Sequence, residues 1–179
     1  MSAIKPVYFN ETFSHNPIID AINEEAFGPG RFVRAAERVR EQGPHEARLS
    51  FVAAVGDDIV GSVRMTPVTA GTVAGHLLGP LAVRPSFKNL GIGKQLVRIA
   101  VAAALDAGSE GVILVGDPPY YSPLGFEPVR ARLTFPGPVD PNRILVAPKG
   151  SDIHDRLEGA LNWREGSTHT AVVAENTSR

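Results

Sequence analysis

The spacing of apolar residues changes from segment to segment in the first part of the chain, and it predicts the elements there. Val7 to Phe9 predicts a short strand. Apolar residues at helical spacing predict one helix from about Pro17 to Ala26 and a second from Arg31 to Glu41, each followed by glycine and proline. Two β-rich runs, Leu49 to Val55 and Ile59 to Val68, are joined by Gly-Asp-Asp, which is typical of an antiparallel hairpin.

The central block has the order strand, glycine loop, helix, strand. A strand is expected over about His76 to Val83. A bulge or an unpaired position is expected at Gly79-Pro80, because proline has no N–H to give to the ladder. A long helix is predicted from about Gly91 to Ala107. The wholly apolar run from Val112 to Val115 is typical of a parallel strand that is buried on both faces, so this block predicts one βαβ unit.

The last part of the chain is less regular. Beyond Asp117 it is rich in proline, which excludes a long helix but allows a single turn from Tyr121 to Leu124. Two strands, near Arg132 to Phe135 and Arg143 to Val146, are expected to close the sheet. A short helix is predicted near Ile153 to Leu161.

Composition limits the number of domains and the class of partner. The chain has 179 residues, of which 43% are apolar and 21% charged, and this suits one well-buried core. We therefore predict a single domain over residues 1–164. Residues 165–179 are mostly small or polar, which is typical of a mobile tail. The net charge of -1 disfavours nucleic acid as a partner, and the absence of cysteine excludes disulfides, a thiolate nucleophile and a Cys-containing zinc site.

The sequence also bears on location and metal binding. No apolar run approaches the ~20 residues that cross a bilayer, and the N-terminal residues lack the apolar core of a signal peptide. These features predict a cytoplasmic protein without a membrane partner. The histidines are scattered, and the nearest approach to a metal cluster is Asp152-x-His154-Asp155. Acidic residues at the start of a helix are explained more simply by the helix dipole, so no metal is predicted.

Two glycines at the start of the long predicted helix carry the first chemical signal. Gly91 and Gly93 allow backbone N–H groups to face an anion such as a pyrophosphate, which a helix N-terminus already favours. The alternative is that they only permit a tight turn into the helix. A dinucleotide fingerprint would need glycine at Leu96, and a P-loop would need glycine at Lys88 and Ser or Thr at Gln95. Neither of these motifs is present.

The same segment resembles motif A of the GNAT superfamily of N-acetyltransferases. That motif is usually written (Arg/Gln)-x-x-Gly-x-(Gly/Ala) and follows a strand ending in Val-x-Pro; here the residues are Val83-Arg84-Pro85 and then Lys88 to Gly93. Lys88 stands where the family has Arg or Gln and keeps the positive charge.

A second segment, Tyr121 to Phe126, resembles the family's Tyr-x-x-x-Gly-Phe element. Gly116 to Tyr121 resembles the Gly-Asp-Pro-x-Tyr-Tyr loop of a bacterial branch of small predicted acetyltransferases. The combined resemblance covers roughly residues 7–147. It implies an α/β (α+β) fold with a mixed, mostly antiparallel central sheet, two splayed parallel strands and flanking helices.

The resemblance also implies a site for acetyl-CoA as co-substrate, without a metal. Main-chain groups on the strand before motif A are expected to pair with the pantetheine arm, namely Leu81, Ala82 and Val83. Backbone N–H groups are expected to bind the pyrophosphate, namely those of Leu90, Gly91, Ile92, Gly93, Lys94 and Gln95. The Lys88 and Lys94 side chains add positive charge, although each is also explained as an ordinary solvated lysine.

In this family the substrate amine attacks the thioester directly, so no covalent enzyme nucleophile is needed. Tyr121 matches the position that commonly protonates the departing thiolate, whereas Tyr120 is expected to pack. The general base is open, since the predicted strand from His76 to Val83 contains no carboxylate. His76 and Asp117 are candidates on or near the sheet. Glu24 and Glu25 are others, because they precede a loop that borders the acceptor cleft in such folds.

The sequence thus predicts an N-acetyltransferase that transfers an acetyl group from acetyl-CoA to a primary amine. The acceptor is an unidentified small molecule or protein, bound by loops such as 27–30 and 66–76, and a homodimer is left open. One alternative is a longer acyl or aminoacyl donor, accommodated by the small residues Gly61, Ser62 and Gly79. Another is a non-catalytic module that senses acyl-CoA.

Overall fold

The computed structural model describes residue 3 and residues 5–30 and 34–165. Nearly all of the expected tail, 166–179, lies outside the described residues, as do Arg31 to Val33 at the start of the second predicted helix. Within the described residues the α-helices are α1 Asn16–Phe27, α2 Ala35–Arg40, α3 Ile92–Asp106, α4 Pro118–Tyr121 and α5 Ile153–Arg156. The strands there are β1 Val7–Asn10, β2 Phe51–Val55, β3 Asp58–Ala70, β4 Val73–Val83, β5 Gly111–Val115, β6 Glu127–Pro128, β7 Leu133–Thr134, β8 Ile144–Pro148, β9 Gly159–Ala160 and β10 Asn162–Trp163.

Eight strands form the main sheet in the order β1-β2-β3-β4-β5-β8-β6, with β10 paired to the distal half of β3. Within this sheet every described pairing is antiparallel except that of β4 with β5. The predicted hairpin of β2 and β3 and the predicted βαβ unit of β4, α3 and β5 are both confirmed. The fold class is therefore confirmed as a mixed, mostly antiparallel sheet with one parallel pair and flanking helices.

Two apolar clusters cover the two faces of this sheet, as strand periodicity requires. On β5, Val112 and Leu114 pack with α3, whereas Ile113 between them packs with residues of α2 and α5. Helix α3 buries Ile92 and Leu96 at helical spacing. The sheet is thus a layer between α3 on one face and α1 and α2 on the other.

The predicted irregularity in β4 is confirmed. Val63 pairs with Leu81 and Met65 with Leu78, so the two residues Gly79 and Pro80 stand opposite the single residue Arg64. This is a β-bulge, and the Gly79-Pro80 peptide bond within it is cis.

Beyond the bulge, β4 separates from β5. The parallel pairing consists of His76 with Val112 and Leu77 with Ile113. Main-chain groups from Leu78 to Val83 therefore face a gap on the β5 side, while β3 still pairs with β4 on the other side. A gap between splayed parallel strands is a place where an extended ligand can add to the sheet.

Three expectations about the fold were wrong. Residues 66–76 are not a cleft loop, because β3 runs to Ala70 and β4 begins at Val73. The strand predicted near Arg132 is short, and β7 pairs with β9 outside the main sheet, whose edge is formed by β6.

The third difference concerns the helix predicted from Ile153 to Leu161. Ile153, Leu157 and Leu161 are buried at helical spacing. However, α5 ends at Arg156, and Gly159 adopts the left-handed φ of 75° before the chain becomes extended. The single turn expected after Asp117 is instead α4 followed by a 3₁₀ turn at Ser122–Leu124, because prolines are tolerated in a first helical turn.

Among the described residues, every helix is too short or too polar to cross a bilayer.

Candidate active site

The N-terminus of α3 forms one wall of a groove of about 550 Å³. Gly91 is the residue preceding the helix and adopts the left-handed φ of 80°, which an L side chain rarely adopts. This conformation turns the loop sharply into the helix. Eight of the predicted cofactor residues line the groove: Leu81, Ala82, Val83, Lys88, Gly91, Ile92, Gly93 and Lys94.

The helix geometry decides which N–H groups are open to a ligand. The first N–H groups of a helix have no acceptor within it, so those of Ile92, Gly93 and Lys94 are directed toward the groove end. The N–H of Gln95 instead donates to the Gly91 carbonyl at 3.1 Å. Gln95 does not line the groove, and neither does Leu90, whose side chain is exposed. The structure thus leaves the Gln95 N–H engaged within the helix rather than free for a phosphate.

The groove has three further lining residues, which the sequence did not assign to it: Phe87, Asn89 and Tyr120. Asn89 adopts the left-handed φ of 61°, which asparagine tolerates better than most residues. The Tyr120 hydroxyl lies against Gly93, since a Cβ on Gly93 would come within 2.8 Å of it. The Lys94 ammonium lies 5.6 Å from the centre of the Tyr120 ring, which places this cation beside the groove. Tyr120 is therefore a wall of the groove and more than a packing residue.

A second, larger cleft of about 1160 Å³ lies where β4 and β5 separate. It includes parts of α1 and α2, the ends of β4 and β5, and the loop that precedes α4. Leu81, Lys88 and Tyr120 line both this cleft and the groove. A ligand that follows the groove from the helix N-terminus along the splayed strand therefore reaches the cleft.

Tyr121 lies at the junction with the large cleft. Its ring packs against Gly116 and makes edge contacts with Tyr120 and Phe126, whose ring centres are 4.8 and 5.6 Å away. Burial raises the pKa of Tyr121 to about 12, with the neighbouring Tyr120 and Asp117 adding to the rise. The phenol therefore keeps its proton at neutral pH and is available as a donor to developing negative charge.

The base candidates from the sequence are not brought together at this cleft. His76 is buried, its Nε2 lies 3.2 Å from Glu46, and it does not line the cleft. Burial lowers the pKa of His76, although Glu46 opposes the change. Glu24 and Glu25 are exposed and lie outside the walls. Asp117 does line the cleft, but its side chain is 76% exposed and pairs with Arg143 at 3.3 Å.

Other polar side chains in the cleft were missed by sequence reasoning. Arg40 extends from α2 to the bulge in β4. Its Nη2 lies so close to Gly79 that a Cβ on this glycine would be only 2.5 Å away. Arg64 lies opposite that bulge, and His45 lines the cleft near it. No local motif marks these residues, since they meet only when α2, β3 and the loop before β2 are packed together.

The small residues expected near the thioester have different surroundings. A Cβ on Gly61 would contact Leu96 and Ile92, which places Gly61 against α3, and Ser62 is buried in the sheet. Only Gly79 of the three lines the large cleft. Among the described residues there is no group of three or more side chains suited to hold a metal ion.

The chain is similar to known proteins in both sequence and structure. The sequence profile of the acetyltransferase (GNAT) domain matches residues 46–128. The chain is 27% identical over 124 residues to the uncharacterized N-acetyltransferase YjhQ of Escherichia coli K12, covering 67% of this chain and 68% of that protein. It is 30% identical over 114 residues to the uncharacterized N-acetyltransferase YhbS of the same strain, covering 62% of this chain and 67% of that protein.

The fold comparison agrees. The crystal structure of Escherichia coli YhbS, a GNAT family N-acetyltransferase in complex with CoA, superposes with a TM-score of 0.75 at 24% identity, covering 92% of this chain and 93% of that chain. A GNAT family acetyltransferase from Brucella melitensis in complex with acetyl-CoA gives a TM-score of 0.66 at 23% identity, covering 90% and 97%. With the βαβ unit, the glycine loop and the splayed strands already described, these matches show that the chain belongs to the GNAT family of acetyltransferases.

Proposed function

We propose that this chain is an N-acetyltransferase that transfers an acetyl group from acetyl-CoA to a primary amine. The observation that carries the proposal is the groove at the α3 N-terminus, which runs along the unpaired side of β4 and opens into the large cleft. Two neighbours of the same fold were crystallised with CoA or acetyl-CoA, which supports this ligand. The acceptor remains a small-molecule or protein amine.

The groove suits coenzyme A in charge and in shape. The N–H groups of Ile92, Gly93 and Lys94 would bind the pyrophosphate, and the Lys88 ammonium adds positive charge at the same end. The free side of Leu81 to Val83 offers main-chain groups to the amides of pantetheine, as a strand would. The thioester would then lie toward the gap between β4 and β5, where the acceptor cleft begins.

The chemistry required of the protein is positioning and proton transfer. The amine nitrogen attacks the thioester carbonyl carbon, the carbon–sulfur bond breaks, and the departing thiolate takes a proton. Tyr121 lines the cleft with its proton held, because burial raises the pKa of this phenol to about 12. It is therefore proposed as the donor to the thiolate.

Binding of coenzyme A is tested first, without any acceptor. A ligand that binds only the folded chain stabilises it by about 2.7 kcal/mol at a hundredfold excess over its dissociation constant. We expect coenzyme A to raise the midpoint of thermal unfolding in a concentration-dependent way, measured by scanning calorimetry. Absence of any shift at millimolar coenzyme A would refute the cofactor assignment.

Turnover is tested next by the release of free thiol from acetyl-CoA, propionyl-CoA and octanoyl-CoA in the presence of a panel of primary amines. We expect amine-dependent release that is fastest with acetyl-CoA. Faster release from the longer thioesters would replace acetyl by another acyl group. Coenzyme A binding without amine-dependent release from any of the three thioesters would favour an acyl-CoA sensor.

A further inference from the structure

A buried carboxylate and a histidine meet beside the large cleft, in a pair that the sequence gives no reason to connect. Glu11 follows β1 and is only 6% exposed. Its Oε1 contacts Nε2 of His45, and its Oε2 accepts a hydrogen bond from Nε of Arg64 at 3.1 Å. Arg64 also donates from Nη2 to Asn16 at 2.8 Å. Both Glu11 oxygens are thus held by partners from separate elements.

The charge of Glu11 decides which ring nitrogen of His45 carries the proton in their hydrogen bond. Burial by itself raises the pKa of Glu11, but hydrogen bonds and charge from His45 and Arg64 outweigh it, so the pKa lies below its usual value and the group is ionised. An ionised carboxylate only accepts, so the proton between the two side chains is on Nε2 of His45, and in the neutral ring Nδ1 is the nitrogen with the lone pair. Nδ1 has no hydrogen-bond partner within residues 5–30 and 34–165. The His45 side chain is 28% exposed and lines the cleft.

The pair lies beside the point where the strands separate. The N–H of Glu46 donates to the Met65 carbonyl at 2.8 Å, so His45 is one residue away from the β3 segment that faces the β4 bulge. His45 and Tyr121 line one and the same cleft. A proton acceptor and a proton donor are thus on walls of the space where the thioester and the amine would meet.

The other charged groups on these walls are less suited to accept a proton. Glu37 of α2 is bonded to Arg40 at 2.8 Å, and Asp117 pairs with Arg143. Asp20 of α1 lines the cleft as an exposed carboxylate, and Asp140 lines it while accepting a hydrogen bond from the N–H of Asn142 at 2.9 Å. Among the side chains lining the cleft in the described residues, His45 alone is an imidazole, the side chain whose charge ordinarily changes between pH 5 and 8.

We propose that His45 is the general base of the reaction and that Glu11 is the residue that positions it. The inference rests on the proposed function and supplies a proton acceptor in place of the carboxylate that β4 lacks. As the amine nitrogen bonds to the carbonyl carbon, its proton passes to Nδ1 of His45, and the imidazolium is stabilised by the Glu11 carboxylate. The carbon–sulfur bond breaks and the thiolate takes the Tyr121 proton. One proton leaves nitrogen and one reaches sulfur; the imidazolium then gives its proton to solvent and the Tyr121 phenolate takes one from solvent, so the cycle balances.

Methoxyamine is the probe that tests this role, because it is small and stays uncharged at neutral pH, so its own titration does not mask that of the enzyme. The pH dependence of kcat/KM for thiol release from acetyl-CoA is measured for the wild type, His45→Gln and Glu11→Gln. His154→Gln is the matched control, since His154 pairs with Glu127 at 2.5 Å but does not line the cleft. Coenzyme A binding is measured by thermal shift for each variant, as an independent check of the fold.

We expect His45→Gln to lower kcat/KM by roughly 10²-fold, in the range of a lost general base, and to remove any loss of rate that the wild type shows on the acid side. Glu11→Gln is expected to lower the rate less and to move any such acid-side loss to lower pH, because the imidazolium loses its stabilising charge. His154→Gln should match the wild type. Coenzyme A binding should persist in all three variants.

The contrary outcomes are distinct. A His45→Gln variant with wild-type rate and wild-type pH profile overturns the role of His45 and leaves the proposed function intact. Equal losses in His45→Gln and His154→Gln also overturn it. A wild type that binds coenzyme A but accelerates thiol release with neither methoxyamine nor any amine of the panel contradicts the acyltransferase proposal itself.

Discussion

Tyr121→Phe is expected to lower the rate of acyl transfer by roughly 10²-fold, the range that is typical of a lost general acid. The substitution removes one hydroxyl and keeps the ring, so the edge contacts with Tyr120 and Phe126 are preserved. Coenzyme A affinity should change little, because the groove residues are untouched. The measurement is single-turnover thiol release, in which the chemical step is observed directly.

The high pKa of Tyr121 adds a pH criterion. Because burial raises this pKa to about 12, the phenol stays protonated over the whole working range, and its proton is lost only as the pH rises through that value. The ratio of wild-type to Tyr121→Phe rates is therefore expected to be constant between about pH 7 and pH 10. If the ratio falls toward one well below pH 10, the Tyr121 hydroxyl loses its proton at a lower pH than its burial implies.

The chain offers a matched control in Tyr8, a half-buried tyrosine on β1 that packs against the core and lines neither the groove nor the cleft. Tyr8→Phe removes the same hydroxyl from a different place, and its rate should equal that of the wild type. If Tyr121→Phe behaves as Tyr8→Phe does, Tyr121 is a packing residue and the thiolate takes its proton elsewhere.

The parts of the fold that the sequence predicted are those with a local cause. The β2–β3 hairpin and the βαβ unit follow from periodicity over five or more residues and from turn residues between them. The bulge follows from one proline in a strand pattern. By contrast, β6, β7, β9 and β10 have two residues each, which is too short for any period to be read. Their pairings depend on tertiary packing.

The candidate site, like the fold, has a part that local sequence predicts and a part that only tertiary packing brings together. The glycine loop and Tyr121 are encoded in short contiguous motifs, so the sequence predicts them. The pair of Glu11 and His45 is separated by 34 positions, and Arg64 is 53 positions from Glu11. No spacing rule connects Arg64 of β3 with two residues from the segments next to β1 and β2. His76 is the opposite case. It precedes the site residues of β4 closely in sequence, but its side chain is hydrogen-bonded to Glu46 and does not line the cleft.

Gly93→Val is expected to weaken coenzyme A binding by roughly 10²-fold, which corresponds to about 2.7 kcal/mol and to the loss of one or two charge-assisted hydrogen bonds. The added branches would stand between the helix N–H groups and the pyrophosphate. Gly93 is in a helix without a left-handed φ, and valine is no worse than glycine there in helix propensity. The fold should therefore survive.

Gly91 is a poorer site for the same test. Its φ of 80° strains any residue with a Cβ, so Gly91→Val would lose stability whether or not a ligand binds there. Ala102→Val is the matched control for Gly93→Val, since Ala102 is an exposed position of α3 outside the groove. Titration calorimetry with coenzyme A should give the wild-type affinity for that control.

One competing explanation of a weak Gly93→Val variant has its own test. A Cβ at Gly93 would approach the Tyr120 hydroxyl to 2.8 Å, so the alternative is that the valine acts only by displacing that ring. The double variant Gly93→Val with Tyr120→Phe removes the colliding oxygen. If the valine blocks the pyrophosphate, the double variant binds coenzyme A as weakly as the single one. If the double variant instead binds coenzyme A as tightly as Tyr120→Phe alone does, the valine acts only through the Tyr120 ring. The N-terminus of α3 is then a turn that packs against Tyr120, and the phosphates bind elsewhere.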